Sequence, residues 1–443
     1  MNERSPKLKK DQLEEIGKEL LPEDSLMEAL ARNEKGYPKP SLENMVMVLE
    51  EDPFLKGAIC YNELTERTDI VRDLGWKRDR AAMDDTDMAY LALYIEKNYG
   101  INCKRSLEDA IKVVSHRNCY HPIRDILNSL EWDGVPRLDN MLFHFFGAEK
   151  TELNIESLKI FMMGAVCRVF DPGCKFESSI CIIGDQGVGK STFFRFLAIK
   201  DEYFSDDLKR LDDEKIVVRL QAHWIIELSE MLAVLNSRRY EDYKSFLSRQ
   251  KDTYRTPYAT NPKDHYRQCV FGGTSNKLEI LPPDKSGNRR TIPIESHMEN
   301  AEVHIMDDEE ASRAYILQAW AEIMVMYRKG ERRTTLPKHL AFELESRQAR
   351  YTPEDPEQEC IEEFLAGTKE KLVCIKMLAY EALGYPLSEQ LNKNDCNRLA
   401  EIMHHIPGWE SIGTRKVGKY GKARAWKRVG ETVPEDTENP FIS

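Results

Sequence analysis

Long apolar runs, closely paired cysteines and an excess of basic residues are all missing from this chain. Its longest apolar stretch, Ile160 to Cys167, is eight residues and stops at Arg168. A membrane helix needs ~18, so no membrane association is expected. The opening MNERSPKLKK has no apolar core of the kind a secretory signal carries, and the expected setting is the cytoplasm. Ten cysteines are spread so that the closest two lie seven positions apart. With no CxxC pair, neither a zinc ribbon nor a thioredoxin-type site is legible, and reduced core thiols are expected. Lys and Arg number 64 against 76 Asp and Glu, a formal net charge of −12. That excludes a protein coated in basic surface, but not a nucleic-acid channel, because phosphate is bound by local charge.

What is present fills two to four domains: 443 residues, 41% hydrophobic and 9% aromatic, enough for packed cores. No internal repeat is visible. Residues 1–40 read as a charged flexible tail. From 41 to 150 the pattern is helical, with Leu42, Met45, Val46 and Leu49 on one stripe and Leu107, Ala110, Ile111 and Val114 on another. The texture then changes. Ser178 to Ile183, His223 to Glu227 and Gln268 to Thr274 are short apolar runs without alternation, as buried parallel strands read. They place an α/β core over 151–305. A helical extension follows over 306–352, with Ile316, Trp320, Ile323 and Tyr327 on one face. After the proline and acid linker around Pro353 and Pro356 comes a small domain, 358–430, and an acidic tail, 431–443.

Between the first strand and a helix, Gly184-Asp185-Gln186-Gly187-Val188-Gly189-Lys190-Ser191 fits G-x-x-x-x-G-K-[ST] in full. The glycines let backbone N–H groups turn toward phosphate oxygens, and the following helix adds its positive end. On this reading Lys190 reaches the β and γ phosphates of ATP, Ser191 ligates Mg²⁺, and Thr192 completes the nucleotide-binding run. A carboxylate on a neighbouring strand end is then required for the metal and the attacking water. Trp224-Ile225-Ile226-Glu227-Leu228-Ser229-Glu230 offers Glu227 for that site and Glu230 as a candidate base. Asn276, ending the third strand in a polar cluster, is a candidate to orient water against the γ phosphate. Arg289 and Arg290 precede another apolar strand; either could be an arginine finger, supplied in cis or by a neighbouring subunit, with Arg290 preferred.

GDQGVGKS, WIIELSE, a Tyr- and Arg-rich segment, CVFGGTSN and GNRR, in that order, resemble the virulence-associated protein E family, replication proteins of phages and mobile elements related to superfamily 3 helicases. The spacings, 37 residues from Lys190 to Glu227 and 49 more to Asn276, suit that compact core, and the resemblance extends upstream through YHPIRD and WDGVPRL. It implies an AAA+-like P-loop NTPase core, a ring of six subunits and ATP-driven DNA unwinding. Related helicases often carry two adjacent acids where this chain has Glu227 and Glu230. No primase signature is visible.

Two segments have the composition of a nucleic-acid surface. Residues 238–267 hold eight basic side chains against four acids, with five interleaved tyrosines; cations track a phosphate backbone while aromatics stack on bases. Lys244, Arg249, Lys251 and Arg255 are the contact candidates, and related helicases carry a pore-lining hairpin at this place. The second segment lies between Trp409 and Val429, a basic hairpin after a helix (Asn394 to Ile406), as in a winged helix. Its contact candidates are Lys416, Lys419, Lys422 and Arg424. The leading expectation is an ATP-dependent DNA helicase. The rivals are a nucleotide-switched DNA-binding module that unwinds nothing and a small-molecule kinase using the same loop.

Overall fold

The computed structural model describes residues 24–208, 216–229, 237–255, 261–282, 288–352, 356–387 and 390–432. They divide into two compact units, 24–280 with 288–351, and 352–432 with Leu281 and Pro282. Among the described residues no helix is long and apolar enough to cross a membrane.

The first unit begins earlier than the sequence suggests. Helix α1 (Asp24–Ala29) falls where a tail was expected, yet it buries Leu26, and Leu30 just beyond it, in an apolar cluster. Helices α2 (Leu42–Glu51), α3 (Asp85–Tyr99) and α4 (Lys104–Arg117) complete that cluster. Ser41 caps α2 by accepting from Asn44 N–H, and Asp84 and Asp87 form a reciprocal capping box on α3. Leu107, Ala110, Ile111 and Val114 are all buried, whereas Leu42, at the first turn of α2, is exposed. The region expected to be helical is not wholly so. A small sheet of β1 (Ile59–Asn62), β2 (Arg67–Ile70) and β3 (Cys119–Tyr120) packs with the helices, β1 in the middle. Its strands are two to four residues long, too short to show a period of two.

Helices α5 (Pro122–Ser129) and α6 (Met141–Phe146) lead into α7 (Glu152–Phe170). This helix is buried around most of its circumference, which is why its apolar run reads as continuous. Arg168, which ends that run, is itself 1% exposed. Its guanidinium donates to the carbonyls of Phe176 (2.6 Å), Cys269 (3.4 Å) and Arg249 (3.4 Å), so the buried charge ties three segments together.

The central sheet has five parallel strands in the order β10-β4-β9-β6-β5: β4 is Ser179–Ile183, β5 Phe204–Ser205, β6 Ile225–Ser229, β9 Val270–Ser275 and β10 Thr291–Glu295. Strands β4 and β9 are buried at every position, as unbroken apolar runs require. Helix α8 (Lys190–Leu197) covers one face, held by Phe193 and Phe194. Gly272 in β9 makes this approach possible: a Cβ there would lie 2.1 Å from the Phe194 ring. Helix α11 (Glu309–Arg328) follows, and its Trp320 meets Trp224 with ring centroids 4.6 Å apart; both indoles donate to buried carbonyls, of Leu197 and Ala165. Helix α9 (Ile216–Leu220) lies just ahead of β6, and between β6 and β9 lie α10 (Ser237–Ser248) and an antiparallel pair, β7 (Lys251–Tyr254) with β8 (Lys263–Tyr266). Helix α12 (Lys338–Gln348) closes the unit.

The second unit runs α13 (Pro356–Gly367), β11 (Leu372–Cys374), a short helical stretch over 375–382, α14 (Lys393–His405), β12 (Trp409–Lys416) and β13 (Lys422–Arg428). The sheet order is β11-β13-β12, antiparallel throughout, over a core containing Trp426, Val373, Leu378 and Met403. None of the ten cysteines is in a disulfide. Cys181, Cys269 and Cys374 are buried, while Cys119 and Cys360 are exposed, so only part of the set fits the expectation of core thiols.

Candidate functional site

The glycine-rich loop starts where β4 ends, at the C-terminal edge of the sheet, where crevices of parallel sheets lie. Gly187 (φ +91°) and Gly189 (φ +87°) have left-handed backbones that other residues rarely adopt. A Cβ on Gly189 would also lie 2.3 Å from Ile305 Cγ2. Asp185, Gln186 and Gly187 are exposed, Val188 and Thr192 partly buried. Lys190 is 7% exposed and its ammonium donates, at 2.7 Å each, to the carbonyls of Gly184 and Asp185 and to Asn276 Oδ1. Asn276 stands just past the end of β9, the strand beside β4, so strand order brings it to Lys190.

Glu227 lies in β6, two strands from β4, and is fully buried. Its Oε1 accepts from Thr274 Oγ1 (2.6 Å), Ser191 Oγ (2.7 Å) and Ser229 Oγ (2.9 Å). Its Oε2 is buried with no hydrogen-bond partner among the described residues. A buried carboxylate oxygen left without a donor is costly and marks a place for a cation or a water. A hydroxyl facing that carboxylate is the oxygen donor set a small divalent cation takes. Glu230 lies outside the described residues. No group of three or more His, Cys, Asp or Glu placed to hold a metal occurs among the described residues.

Arg289 and Arg290 sit at the other end of the sheet. Arg290 precedes Thr291, which pairs with Ser179 at the start of β4, whereas the loop follows Ile183 at its end. Five strand residues, a rise of about 16 Å, separate the level of Arg290 from that of the loop of its own chain. Both arginines are held by Glu177, at 3.1 Å for Arg289 and 3.3 Å for Arg290, and Arg290 Nε also donates to Ser248 Oγ (3.1 Å). Burial alone would raise the Glu177 carboxyl; Arg290 and then Ser248 hold it below the usual carboxylate range.

The basic segment between β6 and β9 is largely neutralised within the chain. Tyr240 and Tyr243 are core residues, each about 1% exposed or less, and cannot stack on bases. Lys244 is buried and paired with Glu241. Arg249 meets Asp252 at 3.6 Å, Lys251 meets Asp264 at 2.5 Å, and Arg267 is buried on Asp252 at 2.6 Å. Lys263 and His265 both reach Glu66, in the turn between β1 and β2, at 2.8 and 3.0 Å. Arg255 is exposed and described, while the side chains of Arg238 and Arg239 and residues 256–260 lie outside the description. Lys244, expected to contact DNA, is instead buried in the fold. Its charge is spent inside the fold.

In the second unit Lys419 is taken by Glu381 (2.8 Å) and Lys427 by Glu410 (2.9 Å). Arg415, Lys416, Lys422 and Arg424 are exposed, and Lys416 pairs directly across the strands with Lys422. Two like charges opposed in this way destabilise a hairpin unless an anion lies against them.

Sequence reasoning missed four residues here. Thr274 and Ser229 lie inside the quoted motifs as neighbours of Asn276 and Glu227, and strand pairing of Ser229 with Thr274 would have linked them. Glu177 gave no signal. Neither did His304, whose Nε2 lies 3.0 Å from the Gly187 carbonyl oxygen.

The family model of the virulence-associated protein E-like domain matches residues 127–353, which is 227 of the 443 residues. The chain belongs to this family. Two solved structures of the NrS-1 C-terminal region, both described as apo A forms, are similar to it at 14% identity, covering 84% of this chain and 96% of theirs, with TM-scores of 0.46 and 0.47. No curated protein matches the sequence.

Proposed function

We propose that this chain is a P-loop ATPase that drives movement on DNA during replication of a phage or mobile element, with an AAA+-like core and a winged-helix-like second unit. The observation that carries the reading is Glu227: fully buried, bonded to Ser191 Oγ of the glycine-rich loop, with its second oxygen unpartnered. The strand order supports it, because the loop, Glu227 and Asn276 then converge from three neighbouring strands at one sheet edge.

ATP would be held by the loop amides and Lys190, whose ammonium donates to the carbonyls of Gly184 and Asp185 and to Asn276 Oδ1. Ser191 and Glu227 would hold Mg²⁺, which when bound neutralises charge developing on the transferred phosphoryl group. Asn276 would orient water toward that group, and Glu230, three residues after Glu227, is the candidate to accept its proton. Arg290, with Arg289 second, would serve the site of a neighbouring subunit in a hexameric ring, since it lies at the opposite end of the sheet from its own loop. DNA would be gripped by Arg249, Lys251 and Arg255 around the β7–β8 pair and by Arg415, Lys416, Lys422 and Arg424 in the second unit.

A specific observation favours the rival in which nucleotide binding switches DNA binding without unwinding: Arg249, Lys251, Lys263 and Arg267 are all paired to carboxylates in the chain. Steady-state ATP hydrolysis with and without single-stranded DNA, on wild type and Lys190→Ala, tests the motor. Stimulation by DNA that is lost in the variant supports it. Hydrolysis indifferent to DNA sinks the motor and leaves the switch.

A further inference from the structure

We infer that the turn following β10, residues 304–307, is a strap that sets the shape of the glycine-rich loop, with His304 as a positioning residue for nucleotide binding; this rests on the ATPase reading above. The strap grips both left-handed glycines. His304 Nε2 lies 3.0 Å from the Gly187 carbonyl oxygen, and the fully buried Ile305 side chain fills the space that a Cβ on Gly189 would need.

The tautomer follows from the partners. Met306 N–H donates to His304 Nδ1 at 3.2 Å, so Nδ1 carries no proton and Nε2–H donates to the carbonyl. In a trans peptide the C=O of one residue and the N–H of the next point in opposite directions. Fixing the Gly187 carbonyl toward His304 therefore turns the Val188 N–H to the face of the loop away from the strap. That amide is one of the group such a loop offers to phosphate. Gly187 is exposed and left-handed, so nothing in its own side chain fixes this peptide plane.

The strap is itself anchored. Asp307 Oδ2 accepts from His304 N–H (3.1 Å), and Asp307 N–H donates to the His304 carbonyl (2.9 Å). Upstream, Glu302 and Val303 N–H donate to the His144 carbonyl, and His297 N–H to that of Phe146. Downstream, Asp308 caps α11, the helix that packs on α8. The loop is thus braced against α6 and α11 rather than free to sample other peptide orientations.

The test is titration of full-length protein with a fluorescent ATP analogue and Mg²⁺, alongside ATP hydrolysis, for wild type, His304→Ala and His304→Gln. A Gln side chain can place an N–H donor where Nε2 stands. The Ala variant is expected to bind nucleotide about tenfold more weakly, the worth of one hydrogen bond. Its KM for ATP rises likewise while kcat at saturating ATP stays within about twofold, because Lys190, Glu227 and Asn276 are untouched. The Gln variant is expected to recover most of the affinity. Unchanged affinity in His304→Ala, equal loss in both variants, or a fall in kcat at constant KM each overturns the strap. Wild type that binds no nucleotide at all overturns the ATPase reading itself, and the strap with it.

Discussion

Lys190 and Asn276, 86 positions apart, meet at 2.7 Å because their strands, β4 and β9, are neighbours in the sheet although β5, β6, β7 and β8 lie between them in sequence. The amide oxygen holds the ammonium at the mouth of the loop. Asn276→Ala is expected to leave ATP binding within a few-fold of wild type and to lower kcat by about a hundredfold, at the small end for a water-positioning or proton-transfer group. Lys190→Ala is expected to lose binding as well. Nucleotide titration set beside turnover separates the two. Equal loss of binding in both would mean that Asn276 serves only to hold Lys190.

Glu227 makes a prediction with two signs. Glu227→Gln keeps an oxygen for the Ser191, Thr274 and Ser229 hydroxyls and removes a buried charge whose second oxygen has no partner. The variant is expected to melt at or above the wild-type temperature, since an uncompensated buried charge is costly. Its hydrolysis should fall by about 10² to 10⁴ while nucleotide still binds. A lower melting temperature would show that the carboxylate is structural.

Arg290 is expected to act only between subunits. Arg290→Ala and Lys190→Ala proteins should each be inactive alone, and mixing them should restore part of the ATPase activity, since some interfaces then pair an intact loop with an intact arginine. If mixing restores nothing, Arg290 belongs to the Glu177 ion-pair cluster and nothing more.

The Lys416, Lys422 and Arg424 cluster is expected to bind phosphate backbone. Replacing all three by Ala should reduce the salt dependence of duplex binding, lowering the slope of log K against log salt by about 2 to 3. Lys244→Ala should leave that slope alone and lower stability instead. Fluorescence anisotropy over a range of salt reads both.

His121 gives a pH prediction. It is 3% exposed, its Nδ1 accepts from Arg124 N–H (3.3 Å), and its Nε2 lies 2.6 Å from Gln268 Oε1. Burial lowers its pKa below the ordinary imidazole value, outweighing the opposite pull of Gln268. The folded state therefore resists a proton that the unfolded state accepts, and stability falls as pH drops below about 6.5. Melting temperatures between pH 5 and 7.5 should show this slope, reduced in His121→Gln.

Local chemistry was legible in the sequence because it is written in contiguous residues. The glycine-rich loop needs its glycines and lysine in fixed order, β4, β6 and β9 needed unbroken apolar runs, and α14 with the β12–β13 hairpin showed as a helix followed by a basic pair of strands. Short strands were not legible: β1, β2, β3 and β5 are two to four residues long and carry no period. Charge was the other failure. Composition showed that 238–267 is basic, but not that Asp252, Asp264, Glu241 and the distant Glu66 would take up most of those charges.

The sequence by itself determined where a glycine-rich loop follows a strand and which strands would be buried, since those depend on backbone freedom and side-chain polarity at neighbouring positions. Only the tertiary structure decided which groups meet. Strand order brought Asn276 to Lys190 and Glu227 to Ser191, put Arg290 at the far end of the sheet, and laid His304 against Gly187. Those distances follow from how parallel strands are ordered and registered, which pairs residues that no spacing along the chain connects.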